Sequence, residues 1–349
     1  MRQPTTWGPW ENVAQIGEGG MAHVFKVRNK ETGEFGALKR LKNVKRRERL
    51  RREIEAVAAL DHPGIVKLLD ADLEADRPYA VYQFESGGSL ANLATAELLE
   101  VPLTQRLRWC EQICSGLQAA HDAGLVHRDV KPENILLSCD RTTARLCDFG
   151  LVFFDDGERQ TATTEQIGSR YYIAPELEDG RAEQVSASSD IYGMGKVLYY
   201  VTRGSIFARE RHRDEDCNLA RILDNPYLEA ISRILDKSVT SDVQRRFTSA
   251  ASMQSAIAQA EETIVYQRPI AKAVETYRCV FCGVGRYEEI CISGETHAHN
   301  SGYKEGNIAD EYMVFLECPV CGNCQRFKLK TGGEEWFPEA LERLHKRMR

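Results

Sequence analysis

Residues 127–134 read HRDVKPEN, an imidazole, two cations, two carboxylates and an amide within one short stretch flanked by apolar pairs. A buried strand or helix does not accept His127, Arg128, Asp129, Lys131, Glu133 and Asn134 so close together, so these side chains are either solvated without a duty or held for chemistry. Asp129 can accept a proton from an attacking hydroxyl, and Asn134, five residues on, can offer its amide oxygen to a metal. Nineteen residues beyond Asp129, the stretch CDFG supplies Asp148, a second oxygen ligand with a glycine behind it as a hinge. Upstream, GEGGMA at 17–22 holds Gly17, Gly19 and Gly20 between two expected strands. Such a turn lets backbone N–H groups approach a phosphate without Cβ interference, although many ordinary hairpins carry glycines too. Lys39 stands on a strand among apolar neighbours, and Glu53 on the next helix faces inward with Ile54 and Val57, where it can neutralise that lysine.

The elements that must position these residues are legible in outline. The first 90 or so residues alternate around glycine-containing turns, as consecutive antiparallel strands do. Their single helix carries Leu50, Ile54, Val57 and Ala58 at helical spacing and ends at DHPG. YAVYQF is a further strand. After Gly88 the pattern becomes helical. Leu107, Cys110, Cys114, Leu117 and His121 share one stripe, and DIYGMGKVLYYVTRG is apolar nearly all round, which predicts a buried central helix opened by Asp190. Two later helices are expected at 227–236 and 249–262.

Bulk properties bound the answer. The chain has 349 residues, 42% hydrophobic and 28% charged, enough for one large domain and a small one. Its net charge of −6 gives no general reason to expect a nucleic-acid or membrane binder. No apolar run approaches the about 18 residues of a spanning helix, and MRQPTTWGPW lacks a signal-peptide core, so a cytoplasmic protein is expected. Six of the eleven cysteines crowd into 279–324, which favours metal ligation there over a disulfide framework.

The order glycine loop, strand lysine, helix glutamate, HRDxKxxN, DFG and APE (174–176) resembles the full signature set of the protein kinases, over about residues 10–262. DVKPEN resembles the Ser/Thr-specific catalytic loop, and GEGGMA the glycine loop of bacterial Ser/Thr kinases. The resemblance implies an α+β, bilobal fold: a kinase domain over 10–264, with a β-rich lobe at about 10–85 and a mainly helical lobe at about 89–264. It implies ATP and Mg²⁺ as cofactors and protein Ser/Thr hydroxyls as acceptors. Lys39, held by Glu53, would bind phosphates; Asn134 and Asp148 would hold Mg²⁺; Asp129 would orient the acceptor hydroxyl and Lys131 steady the transferring group. Ile16 and Val24 would cover the adenine, Ala37 would lie against it, and Tyr82 would stand as gatekeeper before a hinge at Gln83–Glu85. His127 and Phe149 are expected to stack with Val57 and Leu68 in a column joining the lobes, anchored at Asp190. Glu176 is expected to pair with Arg246, with Arg245 as competitor. Arg128 calls for an anion, which makes Thr161, Thr163 and Thr164 the candidate phosphosites. Cys110, Cys114, Cys139 and Cys147 read as small hydrophobes, and the basic run at 42–52 as a solvated face or a docking site for acidic partners.

The tail repeats one pattern, CVFCG at 279–283 and CPVCG at 318–322. Two Cys-x-x-Cys turns give a tetrahedral sulfur site suited to Zn²⁺, through Cys279, Cys282, Cys318 and Cys321. This resembles a zinc ribbon, at 277–332 after a linker at 265–276, with a basic helix over 333–349. Cys324 competes for the site; Cys291, His297 and His299 are expected as packing or loop residues, with a second site left open. A Cys-x-x-Cys redox pair is the other reading of the motif, without the βαβ pattern it needs. A protein partner docked on the ribbon is favoured over nucleic acid, because its lysines and arginines are offset by Glu and Asp. The competing readings of the whole are an ATP-binding pseudokinase scaffold, which an intact Lys39, Asp129, Asn134 and Asp148 oppose, and a nucleic-acid-associated kinase located by its ribbon.

Overall fold

A computed structural model of the chain describes residues 6–19, 22–149, 171–178 and 186–276 and three strands at 288–293, 312–317 and 324–329; side chains from residue 265 onward are outside that description. The described part divides into two units, Met1–Ala260 and Glu261–Arg349.

The first unit opens with a six-stranded antiparallel sheet of order β1-β2-β3-β4-β6-β5. Its strands are β1 (Thr6–Trp7), β2 (Trp10–Glu18), β3 (Ala22–Asn29), β4 (Phe35–Leu41), β5 (Leu68–Asp72) and β6 (Tyr79–Gln83). Alternation places Trp7, Trp10, Phe25, Val27, Leu38, Tyr79 and Val81 in one buried cluster. Trp10 donates its indole N–H to Asp70 at 2.8 Å. The packed core therefore begins before residue 10, because Trp7 and Trp10 are buried together across the turn at Gly8. Helix α1 (Arg47–Ala58) turns Leu50, Glu53, Ala56 and Val57 inward. Ala58, expected on that face, is exposed, and Ala56 takes its place.

The helical part is built on α3 (Leu103–Asp122) and α5 (Ala187–Arg203), with α2 (Thr95–Glu100), α4 (Pro175–Glu178), α6 (Leu219–Ile222), α7 (Glu229–Asp236) and α8 (Ala250–Thr276) around them. Leu107, Cys110, Cys114 and Leu117 form the expected buried stripe of α3. Helix α5 is buried along almost its whole length; Ser186 caps its first turn and Gly204, at φ 75°, ends it in the left-handed region. The one lysine in that helix, Lys196, is buried, and burial pulls its ammonium pKa down to about 7 although it donates to the carbonyl of Phe207 at 3.0 Å and lies 3.7 Å from the centre of the Phe207 ring. Between α3 and α5 runs a two-stranded sheet of β7 (Ile135–Leu137) and β8 (Ala144–Leu146). The chain leading from α1 to β5 binds onto it: Leu146 donates to the Gly64 carbonyl at 2.8 Å and Val66 to the Leu146 carbonyl at 3.0 Å. Gly64 is required there, since a Cβ would lie 2.5 Å from the Gln112 carbonyl oxygen on α3.

Helix α8 continues to Thr276, through the segment expected as a linker and through Pro269. A proline removes one backbone donor and disfavours helix, yet the surrounding Gln, Arg, Ala, Lys and Glu residues are good helix formers. The second unit contributes an antiparallel sheet of order β11-β10-β9, from β9 (Glu288–Ser293), β10 (Tyr312–Glu317) and β11 (Cys324–Leu329). Cys291 stands opposite Phe315, and Cys324 opposite Glu317. Cys279, Cys282, Cys318, Cys321, His297, His299 and the expected helix at 333–349 lie outside the described residues.

Candidate active site

Three elements converge on one cluster. Lys39 on β4 donates to both oxygens of Glu53 on α1, at 2.8 and 2.9 Å, and to Asp148 after β8 at 2.8 Å. The two carboxylates raise the Lys39 pKa against the opposing effect of its burial, so its ammonium stays charged. Lys39 in turn holds the Asp148 carboxyl down at about 2, although half of that side chain reaches solvent. Neither group titrates between about pH 4 and 9.

The catalytic-loop residues form a second knot. Asn134 donates its amide N–H₂ to the Asp129 carbonyl at 2.8 Å and to its carboxylate at 2.9 Å. With both hydrogens so used, the amide oxygen is the atom left for a cation. Lys131 lies 2.7 Å from the same Asp129 carboxylate oxygen. The loop is pinned from below by Asp190 at the start of α5, which is fully buried and accepts the backbone N–H groups of His127 at 2.8 Å and Arg128 at 2.7 Å. Those bonds hold Arg128 at φ 66°, and Asp148 also sits at φ 66°. A non-glycine residue there costs about 1–3 kcal/mol, which the surrounding bonds must offset. His127 ties the two knots together. Its Nδ1 accepts from the Asp129 N–H at 3.3 Å, so its Nε2 carries the hydrogen and donates to the Cys147 carbonyl at 2.9 Å.

The expected stack of His127 and Phe149 is present, edge to face at 4.8 Å. Leu68 packs with the Leu41, Leu50 and Ala80 cluster. Glu176 pairs with Arg246 at 2.6 and 2.9 Å, not with Arg245. Around the opening of the cluster, Gly17 stands opposite Val24, Ala37 opposite Tyr82, and Gly19 donates to the Ala22 carbonyl at 3.0 Å. Ile16 is 48% exposed, and a Cβ on Gly19 would meet nothing within 4 Å among the described residues. Gly20 and the threonines at 161, 163 and 164 lie outside them.

Three contacts were not foreseen. His121, read as a member of an apolar stripe, has its Nε2 2.8 Å from Asp190. Arg145 bonds Glu85 of the hinge at 2.6 Å, beside Gln83. The Tyr82 hydroxyl donates to Glu53 at 2.9 Å. The only sequence signal for the last is general: a tyrosine on an interior strand needs a partner for its O–H.

A positioned base, two oxygen donors for a hard cation and a carboxylate-held lysine can orient and neutralise a phosphoryl group without covalent chemistry. Comparison with known proteins agrees with that arrangement. The family model described as "Protein kinase domain" matches residues 10–273. The chain is 36% identical over 204 residues to the DNA damage-responsive serine/threonine-protein kinase RqkA of Deinococcus radiodurans, covering 57% of this chain and 30% of that protein. It is 31% identical over 266 residues to the serine/threonine-protein kinase PknB of Mycobacterium tuberculosis, covering 69% and 41%. It is also 31% identical over 209 residues to the inhibitor of nuclear factor kappa-B kinase subunit alpha of Xenopus laevis, covering 56% and 28%. The chain thus spans well under half the length of these relatives. Family match and active-site geometry together place this chain in the protein kinase domain family.

Proposed function

We propose that the chain is a serine/threonine protein kinase that moves the γ-phosphoryl group of ATP to protein Ser and Thr hydroxyls. The observation that carries this reading is the Lys39–Glu53–Asp148 cluster facing Asp129, Lys131 and Asn134. Asp129 accepts the hydroxyl proton as the hydroxyl attacks, Lys131 neutralises charge on the moving group, and Lys39 positions the phosphates. The oxygens of Asp148 and Asn134 suit Mg²⁺, which when bound supplies charge neutralisation at the phosphates. Ile16 and Val24 would cover the adenine, Ala37 would lie against it with Tyr82 as gatekeeper, and Gly17, Gly19 and Gly20 would let backbone N–H groups approach the phosphates. Relatives named as serine/threonine-protein kinases and the DVKPEN loop support the hydroxyl specificity. Among the described residues no helix is long and apolar enough to cross a membrane.

Arg128 supports regulation by phosphorylation. Its Nε is buried with no hydrogen-bond partner among the described residues, and a phosphate at Thr161, Thr163 or Thr164 would supply one. Incubation of the purified chain with Mg²⁺ and γ-labelled ATP is expected to place label on Ser or Thr, with phosphate mapped to 161–164 in the active enzyme. No label within 161–164 on fully active enzyme would remove this regulatory site.

The tail is read as a zinc ribbon that docks a protein partner. The β10–β11 ladder supports it: with Glu317 opposite Cys324, Cys318 and Cys321 belong to the connection of an antiparallel hairpin. Cys279, Cys282, Cys318 and Cys321 would hold one Zn²⁺, and chelation is expected to unfold 275–332 while the kinase core stays folded. Cys321→Ser should lower zinc content and Cys324→Ser leave it intact, by elemental analysis. Equal loss in both would bring Cys324 into the site.

A further inference from the structure

Glu53 receives a third hydrogen bond that owes nothing to Lys39. The Tyr82 hydroxyl donates to Glu53 Oε1 at 2.9 Å, the same oxygen that Lys39 approaches at 2.8 Å. Tyr82 stands on β6, an interior strand, opposite Ala37 of β4 and Leu68 of β5, so its ring is fixed by the sheet. Glu53 stands on α1, which also reaches the sheet region through surface pairs such as Arg47 with Glu74 at 3.3 Å. Exposed pairs of this kind contribute little.

Lys39 is an incomplete anchor for Glu53 during transfer. Its three ammonium hydrogens are all engaged, two by Glu53 and one by Asp148. A phosphate that draws on Lys39 must take one of them. The Tyr82 hydroxyl, on a partly buried side chain packed against the Leu41, Leu50 and Ala80 cluster, is already committed to Glu53. Burial and the neighbouring carboxylate push the phenol pKa well above its ordinary range, so the group remains a donor throughout.

We infer that Tyr82 is a positioning residue: its hydroxyl holds Glu53, and through it α1, in the arrangement that presents Lys39 to the nucleotide phosphates. This rests on the phosphoryl-transfer reading above for its effect on rate, but not for its effect on α1.

Tyr82→Phe removes one oxygen and keeps the ring that packs against the Leu41, Leu50 and Ala80 cluster. A hydrogen bond to a charged group is worth on the order of tenfold or more in a local equilibrium. Amide hydrogen exchange across 47–58 and steady-state kinetics should be measured on the wild type, Tyr82→Phe, Glu53→Ala and the double variant. Tyr82→Phe is expected to speed exchange in α1 by about tenfold and to lower kcat by a similar factor, with the ATP KM little changed. In the Glu53→Ala background it should do neither, because the hydroxyl then has nothing to hold. Unchanged exchange in 47–58 on Tyr82→Phe overturns the inference, as does an effect of equal size with and without Glu53. Faster exchange in Tyr82→Phe, together with a wild-type chain that transfers no phosphate, would keep the α1 anchor and sink the kinase reading instead.

Discussion

Asp148→Asn is expected to reduce Mg²⁺-dependent phosphoryl transfer by at least about 100-fold, the order lost when one preorganised electrostatic group is removed from a reacting centre. The change replaces a carboxylate held ionised at about 2 by a neutral amide, so a cation loses its charged ligand. The fold should survive it, because Lys39 keeps both bonds to Glu53. Thermal unfolding should therefore stay close to that of the wild type while activity collapses. Lys39→Met should depress activity as strongly, but it leaves Glu53 and Asp148 without their shared cation, so its unfolding temperature should fall as well. Kinetics and thermal melts on both variants separate the two effects. Wild-type turnover in either would remove that residue from the active site.

The second large effect is on stability. Arg246 is completely buried and grips Glu176 with two hydrogen bonds, while its remaining donors reach the carbonyls of Thr240 and Ser188, each at 2.9 Å. Ser189 adds a bond to the same carboxylate at 2.8 Å. Arg246→Met leaves Glu176 buried and unpaired, which costs about 3–5 kcal/mol in comparable cases. Denaturant unfolding should show that loss. The pH dependence should change too. Burial opposes ionisation of Glu176, but its bonds from Arg246 and Ser189 win and lower its pKa. A carboxyl with a depressed folded pKa contributes stability above its unfolded value, about 4.3, and loses it as pH falls through the folded value. Removing Arg246 should therefore move acid unfolding to higher pH. An unchanged acid midpoint would show that the pair is not the source.

What the sequence disclosed, and what it hid, follows from the kind of interaction. Lys39 and Glu53, or Glu176 and Arg246, are charges in apolar surroundings, and such charges must find each other, so their pairing can be argued before any coordinates exist. Asp190 opening an apolar helix carried the same message. The stripe of α3 and the burial of α5 follow from helical period alone. Tyr82 and His121 gave no comparable signal. The resemblance marks Tyr82 as gatekeeper but not its bond to Glu53, His121 reads as an ordinary stripe residue, and the partners lie 29 and 69 positions away, set by how the sheet meets α1 and how α3 meets α5. Boundaries were hidden for a different reason. A two-residue strand at Trp7 has no period to detect, and Pro269 argues for a break that the helix formers around it override. The preference for Arg246 over its neighbour Arg245 came with the family resemblance, and the structure bears it out; spacing alone does not separate adjacent arginines, which differ only in which way the backbone points them.

The central claim is that Asp129 and its neighbours transfer phosphate to Ser and Thr hydroxyls. It is tested most directly by phosphoamino-acid analysis of wild type and Asp129→Asn, each given Mg²⁺, γ-labelled ATP and a generic protein substrate. Asp129→Asn keeps side-chain shape but loses the proton acceptor. Label on phosphoserine and phosphothreonine with the wild type, falling by about 100-fold or more with Asp129→Asn, is the result expected. Label on tyrosine, or equal label from the two proteins, would contradict it.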